Sequence, residues 1–183
     1  MYKYFFKIYN YFFLPQKIDK KIKIIYDQII SQSRIKEIYS KFGINDTLEG
    51  RFDFIILHYS MIMIKINSFG KVGEDVSQKL FDLFMEDIDK NLREIGVSDI
   101  KIGKEVKKMS SAVIGRYNAY NTAITSNNNE KLKDALKNNL YRSSEINVKK
   151  IDKLIKYIWM QYNHLKVINY NNFFINTKLF INN

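Results

Sequence analysis

The sequence predicts an all-α fold, a single-domain bundle of about six to eight helices with no significant sheet. Three observations predict it. Apolar residues recur at spacings of three and four through most of the chain, the mark of helices with one buried stripe. No segment alternates apolar and polar residues as a half-buried strand does. The chain has 183 residues and a 46% hydrophobic content, and a chain of this size buries roughly 70% of its unfolded surface in one core.

The first element is aromatic. Within residues 1–16, Lys3, Lys7 and Asn10 form one narrow stripe, and Phe5, Phe6, Phe12 and Phe13 with four tyrosine and isoleucine neighbours cover the rest. At about 1.5 Å per residue, a helix over residues 1–13 is roughly 20 Å long, too short to cross a bilayer. It suits an anchor lying on a membrane surface, where aromatic rings sit at the headgroups. A first helix packed on the core reads the same residues equally well.

Residues 17–163 hold the helical domain. Ile18, Ile22, Ile25 and Ile29 make one stripe, and residues 35–42 form a short helix ending at Gly43. Asp46 with Glu49 reads as a capping pair that opens a central helix over 47–67. That helix is apolar almost all round, so it is buried on most sides. Gly70 and Gly73 flank a loop, a helix over 75–95 stops at Gly96, and the next covers 102–124. Two more span 131–141 and 146–163. Residues 164–183 are an asparagine-rich tail with Phe173 and Phe174 as docking points on the bundle.

Composition narrows the function classes. With no cysteine, disulfides, thiolate nucleophiles and thiolate metal sites are excluded. The net charge of +11 and pI near 9.6 suit anionic partners such as phosphate backbones, anionic lipid or acidic proteins. An AT-rich coding bias is the competing reading and would supply part of the same lysine excess. The most apolar interior run, 54–64, is far short of the roughly 20 residues a spanning helix needs. Residues 1–14 lack the small-residue cleavage site of a signal peptide.

Catalytic signals are sparse. His58 and His164 lie in different helices without partners nearby in sequence, and neither a phosphate-binding glycine loop nor a paired-histidine metal helix is present. His58 reads as a core histidine. No metal, cofactor or catalytic group is expected. In helix 75–95, Asp87 falls in the apolar sector with Leu80, Phe84 and Ile95. A buried carboxylate is costly unless paired, so Asp87 is expected in an ion pair, with Arg51 as the partner and Arg116 as the alternative. An enzymatic reading would need Asp87, Asp89 and Arg116 to converge on solvent.

Helix 102–124 is the most informative segment. Opposite its stripe of Ile102, Val106, Met109, Val113, Tyr117, Tyr120 and Ile124 lie Lys101, Lys104, Lys107, Lys108, Ser111 and Gly115. This reads as a basic docking face for a macromolecule, with Arg116 beside it, or as a solvated surface. Gly115 favours docking, because a glycine inside a helix costs about 0.5–1 kcal/mol relative to alanine and close approach of another backbone would explain it, with a local kink as the rival explanation. Met61, Met63, Met85 and Met109 offer flexible apolar packing for a hydrophobic client.

Two strings resemble the ubiquinol–cytochrome c chaperone family. Residues 33–57, SRIKEIYSKFGINDTLEGRFDFIIL, carry its pattern of a short helix, Gly43, Asp46–Thr47 and the run Gly50, Arg51, Phe52, Asp53. Residues 80–120 carry the second block: Asp87, Asp89, Leu92, Arg93, Glu94, Gly96 and Val97, then the stretch from Gly103 to Met109, then Gly115, Arg116, Ala119 and Tyr120. The likeness runs from about Ile18 to Tyr162, and the tail departs from the family by its asparagine-rich run. The resemblance implies a non-catalytic chaperone that holds newly made cytochrome b for assembly of the cytochrome bc1 complex. It implies no cofactor and no DNA. Mitochondrial members act with a small partner protein near the ribosomal tunnel exit, so both a small partner and the ribosome are candidate partners. With no long leader, the chain is similar to bacterial members, placed in the cytoplasm and peripheral on the cytoplasmic face of the inner membrane. A basic ribosome- or RNA-binding module with no cytochrome b client is the alternative.

Overall fold

The computed structural model describes residues 20–142, 147–175 and 178–181. Among the described residues every regular element is helical: α1 Lys20–Ser33, α2 Lys36–Phe42, α3 Leu48–Asn67, α4 Lys71–Glu94, α5 Asp99–Thr125, α6 Asn129–Leu136, α7 Val148–Val167 and α8 Tyr170–Phe173. A π-helical turn, Lys137–Tyr141, follows α6. The chain is an all-α bundle, as the periodicity predicts. The aromatic segment with Lys3, Phe5, Phe6, Lys7, Phe12 and Phe13 lies outside the described residues.

Helix α3 is the axis. Phe54, Ile56, Leu57, Met61, Ile62 and Ile66 are fully buried on it, and it packs against α1, α4, α5, the π turn and α7. An apolar-all-round helix can hide its side chains only by being surrounded. The neighbours then show the narrower stripes of outer helices: Ile22, Ile25 and Ile29 on α1, and Ile151, Leu154 and Ile158 on α7.

The start of α3 differs from the expected capping pair. Thr47, in extended conformation, accepts the Gly50 amide at 3.1 Å, whereas Asp46 turns outward to Arg51. Threonine's short side chain reaches the amide three residues on without leaving the cap position. At the other end of α3 the chain turns sharply through Gly70, and α4 resumes at once, so Gly73 lies inside a helix and not beside a loop. A Cβ on Gly73 would stand 2.0 Å from the Ile66 carbonyl oxygen, so only glycine lets α4 begin this close to α3.

The asparagines have a structural use. Asn128, Asn147 and Asn169 each accept a backbone amide at the start of α6, α7 and α8. The C-terminal stretch is packed. Phe173, Leu179 and Phe180 are buried, and Gln161 exchanges two hydrogen bonds with Ile181 at 2.8 and 3.0 Å.

Candidate functional site

The basic face of α5 is positioned by its own stripe. Ile102, Val106, Val113, Tyr120 and Ile124 are buried, and a helix that buries one side must present the opposite side to water. Lys101, Lys104, Lys107, Lys108, Ser111 and Gly115 are all exposed. Lys108 has Glu105 at 3.9 Å, a weak surface contact. A Cβ built on Gly115 meets nothing within 4 Å. No packing within the described chain therefore requires glycine there.

Arg116 does not belong to that face. Its side chain is 16% exposed, and its Nε lies 2.9 Å from Oδ1 of Asp53, which is 1% exposed. Arg142, 47% exposed, donates to Asp53 Oδ2 at 2.7 Å. The guanidinium of Arg116 also stacks near Phe52, 5.9 Å from the ring centre. Burial pushes the Asp53 carboxyl above the usual carboxylate range, against the pull of the two guanidinium groups. The cluster is incompletely hydrogen-bonded. Asp53 Oδ1 and Arg116 Nε face each other off hydrogen-bond geometry, and the buried hydroxyl of Tyr120 has no partner among the described residues. Burial raises that hydroxyl's pKa. Arg142 closes the π turn with φ 52° and ψ −114°, a left-handed conformation that costs a non-glycine residue about 1–3 kcal/mol.

The expected ion pair between Asp87 and Arg51 is not formed. Arg51 lies two residues from Asp53 on α3, so one faces out when the other faces in. It grips Asp46 at 2.5 and 3.1 Å in solvent. Asp87 sits half-buried against α1, where the Tyr26 hydroxyl donates to it at 2.7 Å. A phenol meets the need for a partner, and no cation is required. Asp89 pairs with Arg93 on the outer surface, so Asp87, Asp89 and Arg116 do not converge. Met61, Met63 and Met85 are core residues and offer a client no surface.

The sequence reading missed Asp53, and a signal for it was present. It is the one acid beyond the first turn of the all-round apolar helix, three and four residues before the buried Ile56 and Leu57. Arg116 likewise lies between Val113 and Tyr120 on the buried stripe of α5. Arg142 is placed only by the π turn, which no sequence pattern announced.

His58, fully buried, joins three elements. Its Nδ1 lies 2.9 Å from the Phe54 carbonyl oxygen and 3.1 Å from Ser33 Oγ, and its Nε2 lies 2.6 Å from the Tyr157 hydroxyl. Since a carbonyl only accepts, Nδ1 carries the proton and Nε2 accepts from Tyr157. Gln32 donates to the Tyr157 oxygen at 3.0 Å, and Ser33 donates to the Ile29 carbonyl at 2.8 Å. Burial lowers the His58 pKa to about 4. The serine proton thus points away from a histidine whose near nitrogen is already protonated, an arrangement that builds a core and activates no nucleophile. Among the described residues no group of three or more His, Asp or Glu is placed to hold a metal ion.

Comparison with known proteins places these residues in context. The family model described as ubiquinol-cytochrome C chaperone matches residues 40–180. It takes in the C-terminal stretch that the quoted strings left out, and begins later than Ile18. The crystal structure of the Cbp3 homolog from Brucella abortus superposes with a TM-score of 0.79 at 24% identity, covering 90% of this chain and 91% of that one. That likeness is one of fold. No curated protein sequence gives a significant match.

Proposed function

The chain belongs to the ubiquinol-cytochrome c chaperone family, and from that premise we propose that it holds newly made cytochrome b, without catalysis, for assembly of the cytochrome bc1 complex. The family match over residues 40–180 carries this reading. The two strings read from the sequence also meet in space, since Asp53 of the first and Arg116 of the second form the buried ion pair. That pair ties α5 to α3 on the side opposite its lysine face.

The client surface we assign is Lys101, Lys104, Lys107 and Lys108 with Gly115. Exposed lysines steer and orient an encounter with acidic loops more than they add affinity. An open glycine lets a partner helix approach closely, as small residues do at packed helix interfaces. Arg116 contributes by anchoring α5 from behind. The protein would act at the cytoplasmic face of the inner membrane as a peripheral component, and none of its described helices is long and apolar enough to cross a membrane.

Crosslinking in cells followed by identification of the captured chains tests this. Cytochrome b should be captured by the wild type. Reversing Lys104 and Lys108 to Glu should reduce that capture several-fold while helix content stays unchanged, and Gly115→Leu should do the same despite its higher helix propensity. Normal capture by the charge-reversed protein at physiological salt would make this face a solvated surface. Recovery of ribosomal RNA without cytochrome b, with steep salt dependence, would favour the ribosome-binding reading.

A further inference from the structure

A second surface lies at the end of the bundle where α1 begins, α3 turns into α4, and α7 passes into α8. These segments are brought together by contacts on the page. Lys65, buried near the end of α3, donates to the Lys166 carbonyl at 3.0 Å and lies 4.9 Å over the Phe69 ring. Phe69 packs edge-on against Tyr170 and Phe173, with ring centres 5.3 and 5.5 Å away. Lys21, Ile22, Val76, Lys79, Tyr170 and Phe174 then line an open groove of about 220 Å³ between α1, α4 and α8.

This end exposes more large apolar side chain than a core-facing pattern explains. Val72 is 53% exposed, Ile175 66% and Val167 81%, and Tyr170 stands at the groove's edge. Single exposed apolar residues are ordinary. Four gathered on one end, over a firm aromatic backing, are not. The charge around them has one dominant sign. Lys20, Lys21, Lys71, Lys79 and Lys166 are exposed here, against the carboxylates Glu74 and Asp75.

We infer that this end of the bundle rests on an anionic bilayer surface, with Val72, Val167 and Ile175 entering the headgroup boundary and the lysines meeting lipid phosphates. Shallow apolar insertion ringed by lysines is how a protein binds a membrane without crossing it. Tyrosine, apolar in body and polar at the tip, is suited to that depth. The five exposed lysines against two carboxylates around these apolar residues complement a surface of lipid phosphates. The inference deepens the peripheral position proposed above, and it makes the lysine face of α5 and this end two separate surfaces on one molecule.

Flotation of the full chain tests it, with vesicles of phosphatidylcholine alone and of phosphatidylcholine with phosphatidylglycerol. Wild type should float with the mixed vesicles and stay behind with phosphatidylcholine alone. K71E/K79E should lose at least about tenfold in partition, at a cost on the order of a few-fold per lysine near the surface. V167D/I175D should lose as much with no added lysine change. K104E/K108E carries the same change in net charge as K71E/K79E and should lose far less. Equal losses for the two lysine pairs would mean that net charge alone drives binding, and would overturn the assignment. So would a wild type that does not float, or end variants that float like wild type. End variants that float normally yet lose cytochrome b capture would assign this surface to the client instead. Since capture and flotation are read separately, failure of one leaves the other standing.

Discussion

Among the buried polar side chains of helix α3, Asp53 and His58 lie five residues apart, and the bundle treats them in opposite ways. Around His58 each group has a partner of the right kind: the Phe54 carbonyl, the Tyr157 hydroxyl, then Gln32 and Ser33. The cluster is neutral, so burial costs little once the hydrogen bonds are made. Around Asp53 one carboxylate faces two guanidinium groups, the geometry is imperfect, and a neighbouring tyrosine hydroxyl has no partner among the described residues. That cluster holds α3, α5 and the π turn together by charge in a place where charge is expensive. The difference separates two uses of a buried polar group. One fills a core, and the other fixes the relation between elements whose outer faces are exposed.

The largest effect should come from breaking the charged cluster. Asp53→Ala leaves Arg116 buried and uncompensated and should cost about 3–5 kcal/mol in urea unfolding. Asp53→Ala combined with Arg116→Met should recover part of that loss, since the apolar methionine leaves no buried charge without a partner. If the double variant is no more stable than the single, the cost lies in lost packing and the contrast between the two clusters weakens.

Next is the pH dependence of the neutral cluster. The folded chain keeps His58 neutral down to about pH 4, while the unfolded chain protonates it near the ordinary 6.5. Between those values the unfolded state binds more protons, so stability rises with pH across the window. The contribution is fully present above pH 6.5 and is lost as pH falls toward about 4, a total of about 3 kcal/mol. His58→Leu should flatten this slope, whatever it does to stability at neutral pH. An unchanged slope would mean that His58 is not the group titrating.

The smallest effect tests the corrected carboxylate. Asp87→Ala removes the acceptor of the Tyr26 hydroxyl and should cost about 1.5–3 kcal/mol, the size of one hydrogen bond to a charged group. Arg51→Ala should leave the melting midpoint where it was, since its partner Asp46 lies in solvent. A larger loss for Arg51 than for Asp87 would reverse the assignment.

These cases show what was legible. The helices, their buried stripes and the exposed lysines of α5 follow from periodicity, because a side chain's direction on a helix is set by its position in the turn. Asp87 and Asp53 show where that logic stops. Both are acids on apolar sectors, yet one met a phenol and the other two arginines. Periodicity states which way a side chain points and is silent about what stands opposite.

By itself the sequence determined an all-helical bundle, the buried central helix, the basic outer face of α5 and the family. Each depends on local spacing or on a contiguous string of residues. Only the tertiary structure decided that Asp53 joins Arg116 and Arg142, that His58 closes a neutral network with Tyr157, and that residues of α1, α4 and α8 line one groove. Asp53 stands 89 positions from Arg142 and His58 stands 99 from Tyr157, and the physical reason is packing. Helices that bury their stripes against α3 carry their remaining side chains to whichever neighbours the crossing of the helices provides.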